Sequence, residues 1–509
     1  MQTNNKLRPL LVGVDTGGTF TDCVILQRSR IEVIKVSSTP NEIADAAIHA
    51  IQQFLKKEKS GQLHVLHGTT VGTNALLERK GARVALLTTS RFEDLIEIGR
   101  QNRPHLYDFN VARQPCLVPR SLRYGLRERV LADGSILVSL TSREIARQIR
   151  KLKTRNIESI AICLLFSYAN TKHERLLASA VRRLGLPISV SHELLPEFRE
   201  YERLSTTLVN ASLAPLMGHY LAYFQRKLRG KLKPTPTTLQ IMQSNGGITT
   251  AKQTAKQPVR TILSGPAGGV VATEWLARQL NLSQVISFDM GGTSTDVCLI
   301  NGGAAVTSET VLAGLPIAVP VLDVHTVGAG GGSIARLDAG SALRVGPQSA
   351  GAHPGPASYG RGGTDPTVTD AHAVLGRLDT AAFLGGTFPL DQDAAVASFD
   401  NFLKRNPRGW KSREQLADSV LRVCNATMEK ALRVISVERG HDPRDYSLIC
   451  FGGAGGLHAA ELARALDRRE IQVGLQHFFQ EIPPRGGPQG RVHCPRFARV
   501  EDARLAHML

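Results

Sequence analysis

Two stretches of the chain share one pattern: a short apolar run, a glycine pair, then a second apolar run. The first, Val12-Gly13-Val14-Asp15-Thr16-Gly17-Gly18-Thr19-Phe20-Thr21-Asp22, leads into Cys23-Val24-Ile25-Leu26. The second, Ile286-Ser287-Phe288-Asp289-Met290-Gly291-Gly292-Thr293-Ser294-Thr295-Asp296, leads into Val297-Cys298-Leu299-Ile300. Both read D-x-G-G-T-x-T-D, with six of the eight positions identical. Each apolar run has strand length and the glycine pair is turn chemistry, so the pattern predicts two β-hairpins. Copies separated by a domain's length predict duplicated domains rather than a short-period solenoid.

Around the hairpins the pattern alternates. Residues 83–88 and 159–166 read as buried strands, and 40–57, 141–153 and 172–184 as amphipathic helices. A long helix is predicted over 415–437, where Leu416, Val420, Val423, Met428, Leu432 and Ile435 fall near helical spacing. A strand over 446–451 runs into Gly452-Gly453-Ala454-Gly455-Gly456-Leu457-His458 and a helix over 459–466. The alternation predicts an α/β fold. Pro187 and Pro196 mark a first boundary near 188–206, Pro234 and Pro236 a loop, and the Gly/Pro-rich span 346–363 a structured loop or a lid. The domains expected are 8–190 and 204–467. The remainder, 468–509, shows no periodicity and reads as a poorly ordered tail.

Composition narrows the class. The chain has 509 residues, too many for one ordinary core. Its 42% apolar and 21% charged residues are those of a globular protein. The 47 glycines lie in dense short runs, which excludes collagen and points to loops that approach a ligand closely. Lys+Arg exceed Asp+Glu by 62 − 44 = 18. The basic runs at 147–155 and 226–233 read as solvated helix faces. With aromatics at 5%, a base-stacking platform is disfavoured. No nucleic-acid partner is expected, and the basic balance suits handling of anionic nucleotides. No apolar run is long enough to span a membrane, and the N-terminus has no signal-peptide pattern. The seven cysteines are dispersed and form no C-x-x-C, so a reducing cytoplasm is expected.

The repeated motif has a chemical logic. A carboxylate before a glycine turn can hold a hard cation, directly or through water. The glycines bring backbone N–H groups close to phosphate oxygens, and threonine hydroxyls add donors. Two such loops from opposite domains are expected to clamp a nucleotide's phosphates. Phosphate contacts are assigned to Gly17, Gly18, Thr19, Thr21, Gly291, Gly292, Thr293 and Thr295. The strand–glycine loop–helix at Gly452, Gly453, Gly455 and Gly456 places N–H groups near an anion or nucleotide. No Walker A loop occurs, and the late glycine loop lacks Rossmann spacing. Asp22 and Asp296 have two readings, one catalytic and one as caps of tight turns. Weaker candidates are His67, the Asp323/His325 pair, the 328–332 glycine run as a substrate or phosphate wrap, and Arg100, Asn102 and Arg103 as carboxylate binders. His353 and His372 have no argued role.

At the two hairpins and the late glycine loop the sequence resembles the actin-like ATPase superfamily, which includes sugar and acetate kinases and heat-shock chaperone ATPases. The resemblance makes the hairpins the phosphate 1 and phosphate 2 motifs and 452–456 the adenosine motif. It makes Leu263-Ser-Gly-Pro-Ala-Gly-Gly-Val-Val-Ala272 a linking helix where two domains pivot. Further motifs narrow it: His67-Gly-Thr-Thr-Val-Gly-Thr-Asn74, Phe198-Arg-Glu-Tyr-Glu-Arg203, Gln243-Ser-Asn-Gly-Gly247, Val327-Gly-Ala-Gly-Gly-Gly-Ser333 and Pro354-Gly-Pro-Ala-Ser-Tyr-Gly360. These are similar to the hydantoinase/oxoprolinase family, in its A-type, ATP-binding portion.

That resemblance implies ATP- and Mg²⁺-dependent opening of a cyclic amide such as 5-oxoproline or a hydantoin, with a separate B-type subunit completing the reaction. Asp15, Asp289 and Asp296 then become the catalytic candidates, Asp15 and Asp289 as metal ligands. His67, Arg103, Asp323 and His325 become substrate candidates. The alternatives are the ATP-binding subunit of an acetone or aromatic-ketone carboxylase, and a non-catalytic nucleotide-binding remnant. Ser358 stands where relatives often carry Cys, so thiol chemistry is not expected there. The resemblance stops near Asp467. The tail reads as a truncated or frameshifted end without the family's second pivot helix.

Overall fold

The computed structural model describes residues 10–16, 20–27, 30–37, 45, 48–49, 51–54, 62–102, 115–231, 237–381, 383, 386, 388–407, 409–466, 471–473 and 492–493. These form two compact units. Among the described residues, the first runs from Leu10 to Gly265 and takes in Val306–Leu322; the second is built from Pro266–Ala305 and the chain from Asp323 onward.

Unit 1 opens with the first hairpin, β1 (Leu10–Thr16) and β2 (Phe20–Gln27). Leu10, Val12 and Val14 alternate into the core, the two-residue period of a half-buried strand. β3 (Arg30–Ser37) lies beyond β2, and β4 (Leu63–Thr69) pairs parallel with β1 on its other side. α1 (Val71–Leu77) follows β4 directly. A second sheet is built on β5 (Val84–Thr89), β6 (Arg123–Leu126), β7 (Ser159–Cys163) and β8 (Ile188–Val190), in the order β8-β7-β5-β6. β5 and β7 are buried throughout, as fully covered parallel strands must be. Around them lie α2 (Ser142–Lys153), capped by Thr141 on the Glu144 amide, and α3 (Lys172–Val181).

One element was not visible in the periodicity. α4 (Glu200–Lys231) is a 32-residue helix that continues through Pro215. Leu204, Leu208 and Ala211 pack into the core of the β5–β7 sheet. Val209, Leu213, Met217, Leu221, Phe224 and Leu228 pack into the core of the β1–β4 sheet. A helix that feeds two cores along its length shows no single apolar stripe. Its amphipathicity therefore cancels. β9 (Thr237–Met242) and β10 (Ile248–Thr250) complete the first sheet, in the order β10-β9-β4-β1-β2-β3.

α5 (Ser264–Gln279) begins at the end of unit 1. In unit 2 the second hairpin, β11 (Gln284–Met290) and β12 (Thr295–Asn301), repeats the local topology of the first. β11 pairs antiparallel with β12 and parallel with a later strand, as β1 does with β2 and β4. β13 (Val324–Val327) pairs with β12, and β14 (Ser333–Leu337) with β15 (Leu343–Ser349). The helical layer is α6 (Val368–Val374), α7 (Gln392–Arg405) and α8 (Arg413–Ile435). Leu416, Val420, Met428, Leu432 and Ile435 of α8 are all buried, as their spacing predicts. β16 (Ser447–Phe451) then enters the glycine loop and α9 (Gly455–Ala465). In the segment read as an unpatterned tail, β17 (Ile471–Val473) and β18 (Val492–His493) extend the sheet beyond β16. No helix among the described residues is long and apolar enough to cross a membrane.

Candidate functional site

The two motif hairpins have one register. Asp15 stands opposite Asp22 across β1 and β2, and Asp289 opposite Asp296 across β11 and β12. The next pairs toward the turn are Thr16 with Thr21 and Met290 with Thr295. Thr21 and Thr295 are fully buried, so neither hydroxyl is presented outward for a phosphate. Thr295 instead donates to the Ala329 carbonyl at 2.6 Å. The Thr295 hydroxyl thereby ties the second hairpin to the 328–332 run. Gly17, Gly18 and Thr19 lie outside the described residues, as does Arg103.

In unit 1, Asp15 is exposed at the end of β1. A Cβ on Gly68 would stand 3.2 Å from its Oδ1, so the small residue in β4 leaves room for the carboxylate. Around it, Thr16 donates to Gly68 O at 3.2 Å and Thr70 to Thr16 O at 3.0 Å. His67 is fully buried beneath this corner. Its Nδ1 lies 3.2 Å from Val14 O and its Nε2 2.7 Å from the Tyr220 hydroxyl. Burial pushes the imidazole down to about 4, against the raising effect of the Val14 hydrogen bond. A neutral, enclosed His67 braces β1 against α4 and offers a substrate no surface.

Unit 2 converges more densely. Asp289, half-buried at the end of β11, is flanked by two glycines. A Cβ on Gly452 would fall inside van der Waals contact of its Oδ1, and one on Gly269 would sit 3.6 Å from its Oδ2. Gly452 also has φ +83°, a left-handed conformation that side chains resist. Ala454 N–H donates to Met290 O at 3.0 Å, which ties the late glycine loop to the end of β11. Gly453 and Gly456 are exposed where α9 begins, and its N-terminus has no side-chain cap. These amides and the helix dipole form an anion-favouring end.

The 328–332 glycine run does something other than wrap a ligand. Gly331 N–H donates to Gly291 O at 3.0 Å, Gly332 N–H to Gly292 O at 2.7 Å, and Gly330 N–H to the Ser333 hydroxyl at 2.8 Å. Its amides are spent on the hairpin turn, and Gly292 and Thr293 remain exposed on the far side. A Cβ on Gly330 would lie 2.6 Å from Thr293 N, so only glycine permits the approach.

Asp296 accepts a hydrogen bond from Thr326 on β13. Burial nevertheless pushes its carboxyl up to about 6, the Thr326 hydrogen bond pulling the other way. Asp323 does not pair with His325. Both its oxygens are taken by the Arg439 guanidinium, and it precedes β13 rather than sharing its face. Burial, and after it the Arg439 charge, depresses His325. Arg100 is likewise engaged, in a bidentate pair with Glu202 at 2.8 and 2.7 Å, and is not available to a substrate carboxylate. Asn102 is exposed.

Among the described residues no group of three or more His, Cys, Asp or Glu side chains is placed to hold a metal. Mg²⁺ keeps its waters and takes one or two carboxylates plus phosphate oxygens rather than an all-protein cage. Asp15 and Asp289 supply hard oxygen donors of that kind.

Comparison with known proteins gives the family. A hydantoinase/oxoprolinase model matches residues 203–477, and a hydantoinase/oxoprolinase N-terminal region model matches 11–185. The chain is 37% identical to the caprolactamase subunit alpha of Pseudomonas jessenii, over 91% of this chain and 68% of that one. It is 35% identical to 5-oxoprolinase 1 of Arabidopsis thaliana, over 90% of this chain and 40% of that longer protein. The crystal structure of the ATP-dependent caprolactamase superposes with a TM-score of 0.78 at 35% identity, covering 92% of this chain and 68% of that one. A nucleotide-free acetone carboxylase structure gives the same TM-score and coverage at 28% identity. The chain thus has the α/β fold of these two enzymes, with the hairpin topology occurring twice. With both halves of the chain matched by one family's models and the duplicated hairpins in place, the chain belongs to the hydantoinase/oxoprolinase family.

Proposed function

We propose that this chain is the ATP-binding subunit of an enzyme that hydrolyses a cyclic amide, a lactam or hydantoin, by phosphorylating the amide oxygen. The observation that carries the reading is the matched Asp15/Asp22 and Asp289/Asp296 register in a chain 37% identical to a caprolactamase subunit. A five- to seven-membered lactam is a stable amide. When its oxygen attacks the γ-phosphorus of ATP, the bond from that phosphorus to ADP breaks and an O-phosphorylated imidate forms. Water then adds to the activated carbon, the ring C–N bond breaks as the nitrogen takes a proton to leave an acyl phosphate, and a second water hydrolyses that to the carboxylate and inorganic phosphate. Such chemistry asks the protein for positioning and charge neutralisation.

Each unit contributes one hairpin to this task. Asp15 and Asp289 would hold Mg²⁺ through its waters, and the metal would supply charge neutralisation at the phosphates. Gly292 and Thr293 face the phosphate side of the second turn. The amides of Gly453, Gly455 and Gly456, at the start of α9, receive the nucleotide. Asp296, pushed up to about 6, is placed to take or give a proton. A B-type partner subunit is proposed to complete ring opening. The relative this chain resembles is named a subunit alpha, one part of an assembly.

ATP turnover by the purified chain, alone and with its partner, tests the reading. Stimulation by a lactam or hydantoin is the expected result. Stimulation by a ketone with bicarbonate, and by no lactam, would replace it with the carboxylase reading that the likeness to acetone carboxylase carries.

A further inference from the structure

Behind the glycine loops of unit 2 lies a buried histidine pair that the mechanism does not use. His372 in α6 and His458 in α9 are each 1% exposed. Their Nε2 atoms lie 3.1 Å apart, with the rings edge to face at 78°. Burial pushes both down, His458 to about 4 and His372 well below its ordinary value, with the Arg377 charge acting on each and His458 on His372. Both are therefore neutral, and one must donate to the other.

The surrounding groups decide which. Asn425 donates its amide NH₂ to Glu461, which Arg377 holds at 3.0 Å. The amide oxygen of Asn425 is thereby turned to His458 Nδ1, at 2.6 Å. An oxygen acceptor requires a proton on that nitrogen. A neutral His458 then has a lone pair at Nε2, so His372 Nε2 carries the hydrogen. His372 Nδ1 is left as a bare, buried acceptor with no partner among the described residues. An interior chosen for stability alone would not leave that lone pair unmet.

The two helices explain the placement. α9 begins at the 452–456 loop, whose Ala454 amide is fixed to Met290 O. α6 carries Thr369, whose N–H and hydroxyl both donate to Gly331 O, at 2.7 and 2.8 Å. Gly331 N–H in turn holds Gly291 O. A capping box of Thr367 and Asp370 sets the start of α6, and Asp370 also accepts from the Ala357 and Ser358 amides. The contacts therefore close a ring: β11, the 452–456 loop, α9, His458, His372, α6, Thr369, Gly331 and back to Gly291.

We propose that the His372–His458 hydrogen bond is a positioning contact for nucleotide binding, setting the distance between the 452–456 loop and the Gly291–Gly292 turn through Thr369 and Gly331. This rests on the reading that those loops receive ATP. Both residues lie behind the loops, so the contact acts on affinity and not on the chemical step.

The test uses the full chain with its partner subunit. His372→Phe keeps a ring of similar size and removes the donor; His372→Gln returns an N–H near the same place. The expected result is a rise in Kd and KM for ATP of about tenfold in H372F, the scale of one lost hydrogen bond, with kcat within about twofold, and recovery in H372Q. A folded H372F with unchanged ATP affinity, or with the loss entirely in kcat, overturns the proposal. Nitrogen NMR of the wild-type histidines gives a readout independent of how the variants fold: a proton on His372 Nδ1 rather than Nε2 also overturns it. Absence of ATP binding by the wild-type chain would instead sink the nucleotide-site reading, and this proposal with it.

Discussion

Asp289 and Asp296 face each other across the second hairpin, in different surroundings. Asp289 is flanked by Gly269 and Gly452 at the end of β11, whereas Asp296 stands beside β13 and accepts from the Thr326 hydroxyl. Burial pushes the Asp296 carboxyl up to about 6.

Replacing either Asp15 or Asp289 with Asn removes the charge and nearly keeps the shape. Magnesium-dependent ATP turnover is expected to fall by about a hundredfold or more, the scale of a lost electrostatic contribution to the transition state. The thermal midpoint should move little, because Asp15 is exposed, Asp289 is only half-buried, and Asn nearly keeps the shape of each. Steady-state turnover alongside a melting curve checks both halves. Full activity in D289N would remove the metal role.

Asp296 predicts a pH effect of the opposite kind to an ion-paired carboxylate. Its folded value, about 6, lies above its ordinary value, so between pH 4 and 6 the native state binds more protons than the unfolded one. Stability therefore falls as pH rises through that window. Asp296→Asn abolishes the fall and should stabilise the chain at pH 7.5 by on the order of 1–2 kcal/mol, a trade of stability for function. Urea midpoints at pH 4.5 and 7.5 would show it. Turnover of D296N should drop sharply despite the gain.

His67 works in the other direction. Its folded value, about 4, lies below the ordinary 6.5, so the unfolded state binds more protons between those limits. Stability from this residue is complete above pH 6.5 and is lost as pH falls toward 4, at about 1.4 kcal/mol per unit. His67→Gln should flatten this part of the curve for unit 1. An unchanged slope in the variant would mean that His67 is protonated in the native state.

The hairpins were legible because everything that makes them is local: two apolar runs, a glycine pair, and the same residues repeated. α8 was legible because one face of it meets one core. α4 was not, since Leu208 and Val209 are neighbours in sequence and serve different cores. Residue type pointed to His67, Arg100, Asp323 and the 328–332 run as ligand groups. Partners distant in sequence decided otherwise: Tyr220, Glu202, Arg439 and the Gly291–Gly292 carbonyls. His372 and His458 stand 86 positions apart, and no local pattern marks them as a pair.

The glycine run offers the sharpest steric test. Gly330→Ala would place a Cβ 2.6 Å from Thr293 N, and both partners are backbone. Nothing flexible can give way, so the turn must move. Gly331 and Gly332 would lose register with Gly291 and Gly292, and the exposed face of that turn would no longer match a phosphate. ATP affinity is expected to fall by about tenfold or more, with a loss of about 1–3 kcal/mol in stability from the overpacking. Gly218→Ala is the control. Gly218 lies within α4 with nothing within 4 Å of the added carbon, so alanine should stabilise the helix by about 0.5–1 kcal/mol and leave ATP binding alone. Isothermal titration with ATP and a denaturation curve on each variant separate the two outcomes. Equal ATP affinity in G330A and the wild type would show that the turn does not need its brace.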